Sequence, residues 1–155
     1  FTPLQLCNYT AVIANGGTRY ETHLLYKVMD YSMGQGIQEQ SVKAAAETGI
    51  SESVFDTVKQ GMKSVTSEGT AQATFRNYEI QVGGKTGTAE VPGKEDNGVF
   101  VAFAPFDNPE ISISVVIEQG GHGSSVAPLA RDIFDAYFFY EGDAYAYPAA
   151  GALLP

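Results

Sequence analysis

Three apolar, extended runs lie between Tyr78 and Ile117, joined by turns too short for anything but antiparallel neighbours. A parallel crossover needs roughly a dozen residues. Pro92-Gly93-Lys94-Glu95-Asp96-Asn97 and Phe106-Asp107-Asn108-Pro109 are shorter, polar and marked by Pro and Gly. The first run, Tyr78 to Val91, holds Ile80, Val82 and Val91 around a glycine-rich centre. The second, Gly98 to Ala104, is apolar on both faces and suits a central strand covered on both sides. The third alternates through Ile111, Ile113, Val115 and Ile117, the pattern of a strand with one buried face. An antiparallel meander is the expected core of the fold.

Helices are expected before and after it. Thr2 reads as an N-cap, Pro3 as the first helical residue, and Gln5 closes a capping box with Thr2. Phe1 and Leu6 hold the positions of a hydrophobic staple, Leu6, Tyr9 and Ile13 trace a buried face, and Asn15-Gly16-Gly17 stops the helix. Thr22 to Met29 reads as a strand, Gly34-Gln35-Gly36 as a turn, and residues 35–49 carry no decisive pattern. A second helix starts at Ser51 or Ser53 with Val54, Val58, Met62 and Val65 on one face, and Ser67-Glu68-Gly69-Thr70 breaks it. Gly61 costs that helix about 1 kcal/mol against Ala, so a packing need is expected there. After Gly120-Gly121-His122-Gly123, Ser124 or Ser125 caps a last helix whose buried face runs through Leu129, Ile133, Tyr137 and Tyr140. Residues 141–155 read as a loose tail. The sum is a mixed α/β (α+β) fold: an antiparallel sheet flanked by helices.

Composition removes several functions. A chain of 155 residues can bury a real core, and the two ends frame one domain at 1–140 plus the tail. With a net charge of −9, the chain has no footprint for nucleic acid, and any anion it binds must meet a local positive point. No apolar run approaches the ~20 residues of a membrane span. The single cysteine, Cys7, cannot form an intrachain disulfide and is expected to be a small core residue. The chain opens on Phe1 at a helix start, which reads as a piece of something longer.

The chemistry concentrates in Val82-Gly83-Gly84-Lys85-Thr86-Gly87-Thr88-Ala89-Glu90. A lysine and two hydroxyls sit in an extended frame, so the cation can meet an anion at a defined place. A phosphate-loop reading of Gly84-Lys85-Thr86 fails, because the glycine required five positions earlier is Glu79 and the segment runs strand to strand. Glu95-Asp96-Asn97 and Asp107-Asn108 lack calcium-loop spacing and read as solvated turns. His122 and His23 read as solvated histidines, His122 with the option of lining a cleft. Ser124 and Ser125 read as helix caps rather than nucleophiles. No metal site and no cofactor are expected.

Lys-Thr-Gly is one of three motifs of penicillin-interacting serine acyltransferases, beside Ser-x-x-Lys and Ser-x-Asn. The wider string Thr2-Pro3-Leu4-Gln5-Leu6 to Ala14-Asn15-Gly16-Gly17, Gly61-Met62, Gly69-Thr70-Ala71, Gly84 to Glu90, Phe100 to Pro105, Asn108-Pro109-Glu110 and Ala127-Pro128 resembles the C-terminal part of penicillin-binding protein transpeptidase domains. Thr88-Ala89-Glu90 is more similar to the class B, monofunctional enzymes than to class A. The resemblance implies the penicillin-binding/β-lactamase-like transpeptidase fold and a peptidoglycan D,D-transpeptidase that passes through a serine acyl-enzyme. It implies that Lys85 supplies positive charge near the serine, and that Thr86 and Thr88 hydrogen-bond the substrate carboxylate. Gly87 would admit the substrate to the strand backbone, and the Thr88 N–H would form half of the oxyanion hole. The implied ligands are the D-Ala-D-Ala stem peptide and β-lactams, met on the extracytoplasmic face of a bacterial membrane by a membrane-anchored parent.

One departure limits that implication. No Ser in the chain is followed by Lys three positions on, and no Ser-x-Asn occurs. The nucleophile is therefore expected outside these residues, in an N-terminal part of the same domain, and the chain alone is expected to be inactive. The third strand would then offer an unpaired apolar edge, with self-association as its consequence. A β-lactam sensor without turnover, or a D,D-carboxypeptidase or β-lactamase of the same fold, would use the same wall.

Overall fold

The computed structural model describes residues 1–139; the expected tail at 141–155 and Tyr140 lie outside them. Helix α1 (Pro3–Ala14) opens with Thr2 as N-cap, and both arms of the capping box form, Gln5 N–H to Thr2 Oγ1 at 3.2 Å and Thr2 N–H to Gln5 Oε1 at 2.8 Å. Gly16 and Gly17 stop it at φ +81 and +122, a backbone that side chains with a Cβ rarely adopt. Phe1 is fully exposed, so the expected staple to Leu6 is absent.

The segment after α1 corrects the expected single strand over 22–29. It folds into two small antiparallel pairs, β1 (Thr18–Tyr20) with β4 (Ala44–Glu47), and β2 (Lys27–Met29) with β3 (Gly36–Glu39). Their residues are mostly exposed, so burial imposes no alternation on the sequence, and the pattern stays unreadable. Helix α2 (Glu52–Ser67) and the short α3 (Gln72–Phe75) lead to the main sheet. That sheet has the order β5 (Gly83–Ala89), β6 (Asn97–Ala104), β7 (Ile111–Ile117), all antiparallel, as the short turns require. The first strand begins at Gly83, five residues later than expected, because Tyr78 to Val82 leave α3 without joining the ladder. A 3-10 turn at Gly123–Ser125 precedes α4 (Ala127–Phe138).

Two apolar clusters hold the sheet between helices. Phe100, Ala102 and Ala104 point one way and pack with Phe75, Val126, Ala127, Ala130 and Phe134. Phe103 points the other way and packs with Ile13, Ala14, Met62 and Phe106. Cys7 is half-buried rather than in the core, its Sγ donating to the Ser112 carbonyl at 3.2 Å where α1 meets β7.

The helices bury faces that match those expected only in part, Ile13 on α1 and Met62 on α2 being buried as expected. In α1 the buried residues are Thr10, Ile13 and Ala14, while Tyr9 is exposed. In α4 they are Ala127, Ala130 and Phe134, while Leu129, Ile133 and Tyr137 are exposed. In α2 they are Phe55, Met62 and Thr66, with Val65 partly buried beside the core and Val54 and Val58 exposed. Small residues explain α1 and α4, because they let a helix axis come close to the sheet. Thr10 and Thr66 satisfy their hydroxyls, Thr10 one turn back on the Leu6 carbonyl at 2.9 Å and Thr66 on the Val82 carbonyl ahead of β5 at 2.6 Å, and so can be buried. Leu4, Tyr9, Val54 and Val58 instead line an open groove of about 610 Å3 between α1 and α2. Gly61 has nothing within 4 Å of where a Cβ would stand, so the expected packing need is absent.

Candidate functional site

Strand β5 is placed at its start and then along its length by pairing with β6. Thr66, buried on α2, donates to the Val82 carbonyl just before the strand begins. Gly83 and Gly84 then pass directly over Phe103 and Phe100, where a Cβ would come within 2.6 Å and 2.7 Å of the rings. The register with β6 is unbroken, Lys85 opposite Val101, Thr86 opposite Phe100, Gly87 opposite Val99 and Thr88 opposite Gly98. β5 pairs on one side only among the described residues. Its other edge is open.

Lys85 is exposed and is the only charged residue on β5. Its ammonium donates to the Thr86 carbonyl, and among the described residues no carboxylate pairs with it. Thr86 is half-buried, its Oγ1 2.9 Å from Thr70 Oγ1. Thr88 is exposed and its Oγ1 accepts from the Gly123 N–H at 3.4 Å. Gly87 lies between Val99 and the turn that contains Gly123. Strand alternation sends Lys85 and Gly87 to the Phe103 face, and Thr86 and Thr88 to the Phe100 face. The four residues therefore share no face. What they share is the open edge, with a cation, two hydroxyls and, at Gly87, a stretch of backbone that carries no side chain. Such an edge can hold an extended, negatively charged segment.

The remaining candidates fall elsewhere. His122 is exposed at the start of the 3-10 turn, and His23 is exposed with Nδ1 3.3 Å from the Glu21 carbonyl. Ser124 and Ser125 are exposed and cap nothing; Val126 holds the N-cap position of α4 and makes no side-chain cap. The expected serine cap fails because residues 123–125 first close a 3-10 turn. Glu79 is exposed and lies outside β5. The acidic turn serves structure: the Asp96 carbonyl accepts from Gly121 N–H at 2.9 Å, and Asn97 Oδ1 from Gln119 N–H at 2.9 Å. Among the described residues no three His, Cys, Asp or Glu side chains gather as metal ligands. Thr70 and Gly123 were invisible as partners of the strand. The glycines at 120–123 signalled a close approach, but nothing in the sequence says to what.

Comparison with known proteins gives the family and the fold. Residues 1–135 match the family described as penicillin binding protein transpeptidase domain. The chain is 36% identical over 153 residues to peptidoglycan D,D-transpeptidase MrdA of Acinetobacter baumannii, covering 86% of this chain and 22% of that protein. Among solved structures, penicillin-binding protein A from M. tuberculosis as its imipenem acyl-enzyme superposes with a TM-score of 0.76 at 27% identity, over 88% of this chain and 31% of that one. Pseudomonas aeruginosa PBP2 in complex with WCK 5153 gives 0.73 at 31% identity, over 96% of this chain and 34% of that one. The chain thus spans 22% of the curated relative and about a third of each solved chain.

Proposed function

The chain belongs to the penicillin-binding protein transpeptidase family, and from that membership we propose that β5 is the carboxylate- and oxyanion-binding wall of a peptidoglycan D,D-transpeptidase. The observation that carries the reading is Lys85-Thr86-Gly87-Thr88 laid along the open edge of β5. A stem peptide ending in D-Ala-D-Ala would lie beside that edge as an added strand, gaining main-chain hydrogen bonds. Its terminal carboxylate would meet the hydroxyls of Thr86 and Thr88 and the charge of Lys85. Charge-assisted bonds of this kind contribute about 1.5–3 kcal/mol each.

The reaction has two halves. A serine oxygen attacks the penultimate D-Ala carbonyl carbon and gives up its proton to a base. The carbonyl oxygen becomes an oxyanion, which the Thr88 N–H helps to hold, an interaction worth about 3–4 kcal/mol in the transition state. The amide C–N bond breaks, the terminal D-Ala leaves as a protonated amine, and an ester remains on the serine. An amine from a second stem then attacks the ester, the ester C–O bond breaks, and the serine regains its proton as a new amide cross-link forms. A β-lactam follows the first half only, because its broken ring keeps the leaving amine tethered. This chemistry uses no cofactor, and acting on peptidoglycan places it outside the cytoplasmic membrane.

These 155 residues contain neither Ser-x-x-Lys nor Ser-x-Asn, so the nucleophile and its base belong to other residues. The test compares the full encoded polypeptide with the 155-residue chain. The former is expected to take up fluorescent penicillin covalently and to cross-link D-Ala-D-Ala peptides; the latter is expected to form no adduct by mass spectrometry. An adduct on the 155 residues alone would overturn the division of labour. Penicillin uptake with no cross-link or hydrolysis would favour a sensor. In the full polypeptide, Lys85→Ala is expected to slow acylation at least 100-fold, about 3 kcal/mol of lost charge stabilisation.

A further inference from the structure

Thr88 is touched from behind by a turn that the reaction scheme above does not use. Gly123 sits so close to the sheet that a Cβ there would overlap the Gly87 carbonyl oxygen and come within 2.6 Å of Gly87 N and Val99 O. All three atoms are backbone, so no side chain can swing aside. The Gly123 N–H points to Thr88 Oγ1, which has no other hydrogen-bond partner among the described residues.

We propose that Gly123 is a positioning residue for the anion-binding edge: it fills an acceptor site on the Thr88 hydroxyl, aims that hydroxyl's proton at the ligand carboxylate, and backs the Gly87–Thr88 peptide. This rests on the reading of β5 as the carboxylate-binding wall. A threonine hydroxyl has one proton to give and two lone pairs to offer. A carboxylate can only accept, so the hydroxyl must donate to it. With Gly123 N–H on one lone pair, donation to the ligand is the role left for that hydroxyl's proton.

The turn is also the fixed partner of the two. Val126, fully buried, anchors its far end beneath Gly98, where a Cβ would stand 2.6 Å from Val126 Cγ2. Gly121 N–H is held by the Asp96 carbonyl at 2.9 Å, and Ser125 N–H by the His122 carbonyl at 2.9 Å. β5, in contrast, has an open outer edge. A methyl group inserted at Gly123 would therefore push β5 outward at Gly87 and Thr88 rather than push the turn away.

The experiment uses the full encoded polypeptide and two probes, benzylpenicillin and its methyl ester, which lacks the free carboxylate. Rates are taken per titrated active site, so a loss of folded protein does not count. Gly123→Ala is expected to slow benzylpenicillin acylation about 10–100-fold, the scale of a displacement near 1 Å at a reacting group. It should slow the methyl ester less, narrowing the preference for the carboxylate form, while the exposed Ser125→Ala stays within twofold of wild type. An unchanged rate, or an equal loss with both probes, overturns the proposal. If Gly123→Ala does not fold, Val126→Ala loosens the same turn without adding a methyl, and should narrow the same ratio severalfold; an unchanged ratio again overturns it. Selective labelling of threonine methyl groups supplies a readout independent of acylation. Gly123→Ala should shift the Thr88 resonance and Ser125→Ala should not. A wild type that penicillin does not acylate defeats the functional reading of β5, and the Thr88 resonance then decides the positioning role: unmoved, that role fails.

Discussion

Gly84 is a tight residue-scale constraint on the start of β5. A Cβ there would stand 2.7 Å from Phe100 Cζ and 3.3 Å from Thr66 Cγ2, and Phe100 has no exposed surface through which to relax. Gly84→Ala is expected to destabilise the fold by about 1–3 kcal/mol, the usual cost of overpacking, measured by denaturant titration. Tyr78 gives a pH-dependent prediction. Its hydroxyl is buried without a hydrogen-bond partner among the described residues, and burial, then the nearby Asp135 carboxylate, hold its pKa above the ordinary value. The Arg131 guanidinium, 5.0 Å over the ring, opposes this less strongly. Below pH ~10 the folded and unfolded chains both keep the phenol proton and its titration has no effect. As pH rises through ~10 the unfolded chain releases that proton while the folded chain retains it, so stability falls with rising pH. Tyr78→Phe is therefore expected to unfold less readily than wild type above pH ~10, and to be neutral or slightly stabilised at pH 7, in thermal melts at both pH values.

The helices illustrate what periodicity reads well and badly. Local signals that depend on a few neighbouring atoms, such as the Thr2–Gln5 capping box and the Gly16-Gly17 stop, form as the sequence implies. Faces do so only in part, Ile13 and Met62 being buried as implied, because a run of large apolar residues shows where burial is possible but not where a neighbour stands. In α4 two alanines beside β6 outcompete Leu129 and Ile133 for the contact, since a close approach buries the whole face of the sheet. In α2 the glycine at 61 is exposed and meets nothing. Gly61→Ala should therefore stabilise the chain by about 0.5–1 kcal/mol, from helix propensity alone. A loss of stability in a urea titration would show that this position is covered after all.

At the scale of the molecule, the sheet is open on both sides. β5 and β7 each pair with β6 alone among the described residues, and α1 meets β7 through Cys7 and Ser112, the Cys7 Sγ donating to the Ser112 carbonyl. The β5 edge is glycine-rich and carries Lys85, features that discourage casual strand addition. The β7 edge is mainly apolar, Ile-Ser-Ile-Ser-Val-Val-Ile, with no charge. The 155-residue chain is expected to self-associate through β7, and a charged substitution in that strand such as Val116→Lys should reduce the association. Light scattering checks both; a clean monomer at micromolar concentration would show that the edge is protected.

Turn lengths and strand patterns in the sequence determined the meander, its antiparallel sense and its central strand, because short connections leave a chain few ways to return. The order of motifs likewise determined the family, and the lack of a Ser-x-x-Lys motif led to the proposal that β5 is one wall of a site whose nucleophile lies on other residues. The tertiary structure alone decided which helix faces are buried, and that Tyr9, Val54 and Val58 line a groove instead of the core. It also decided that Lys85 and the two threonines meet at an edge rather than on a face, and that Thr70 and Gly123 stand behind them. Those contacts join residues 16 and 35 positions apart. They depend on how closely two backbones can approach, a three-dimensional quantity that composition and periodicity do not encode.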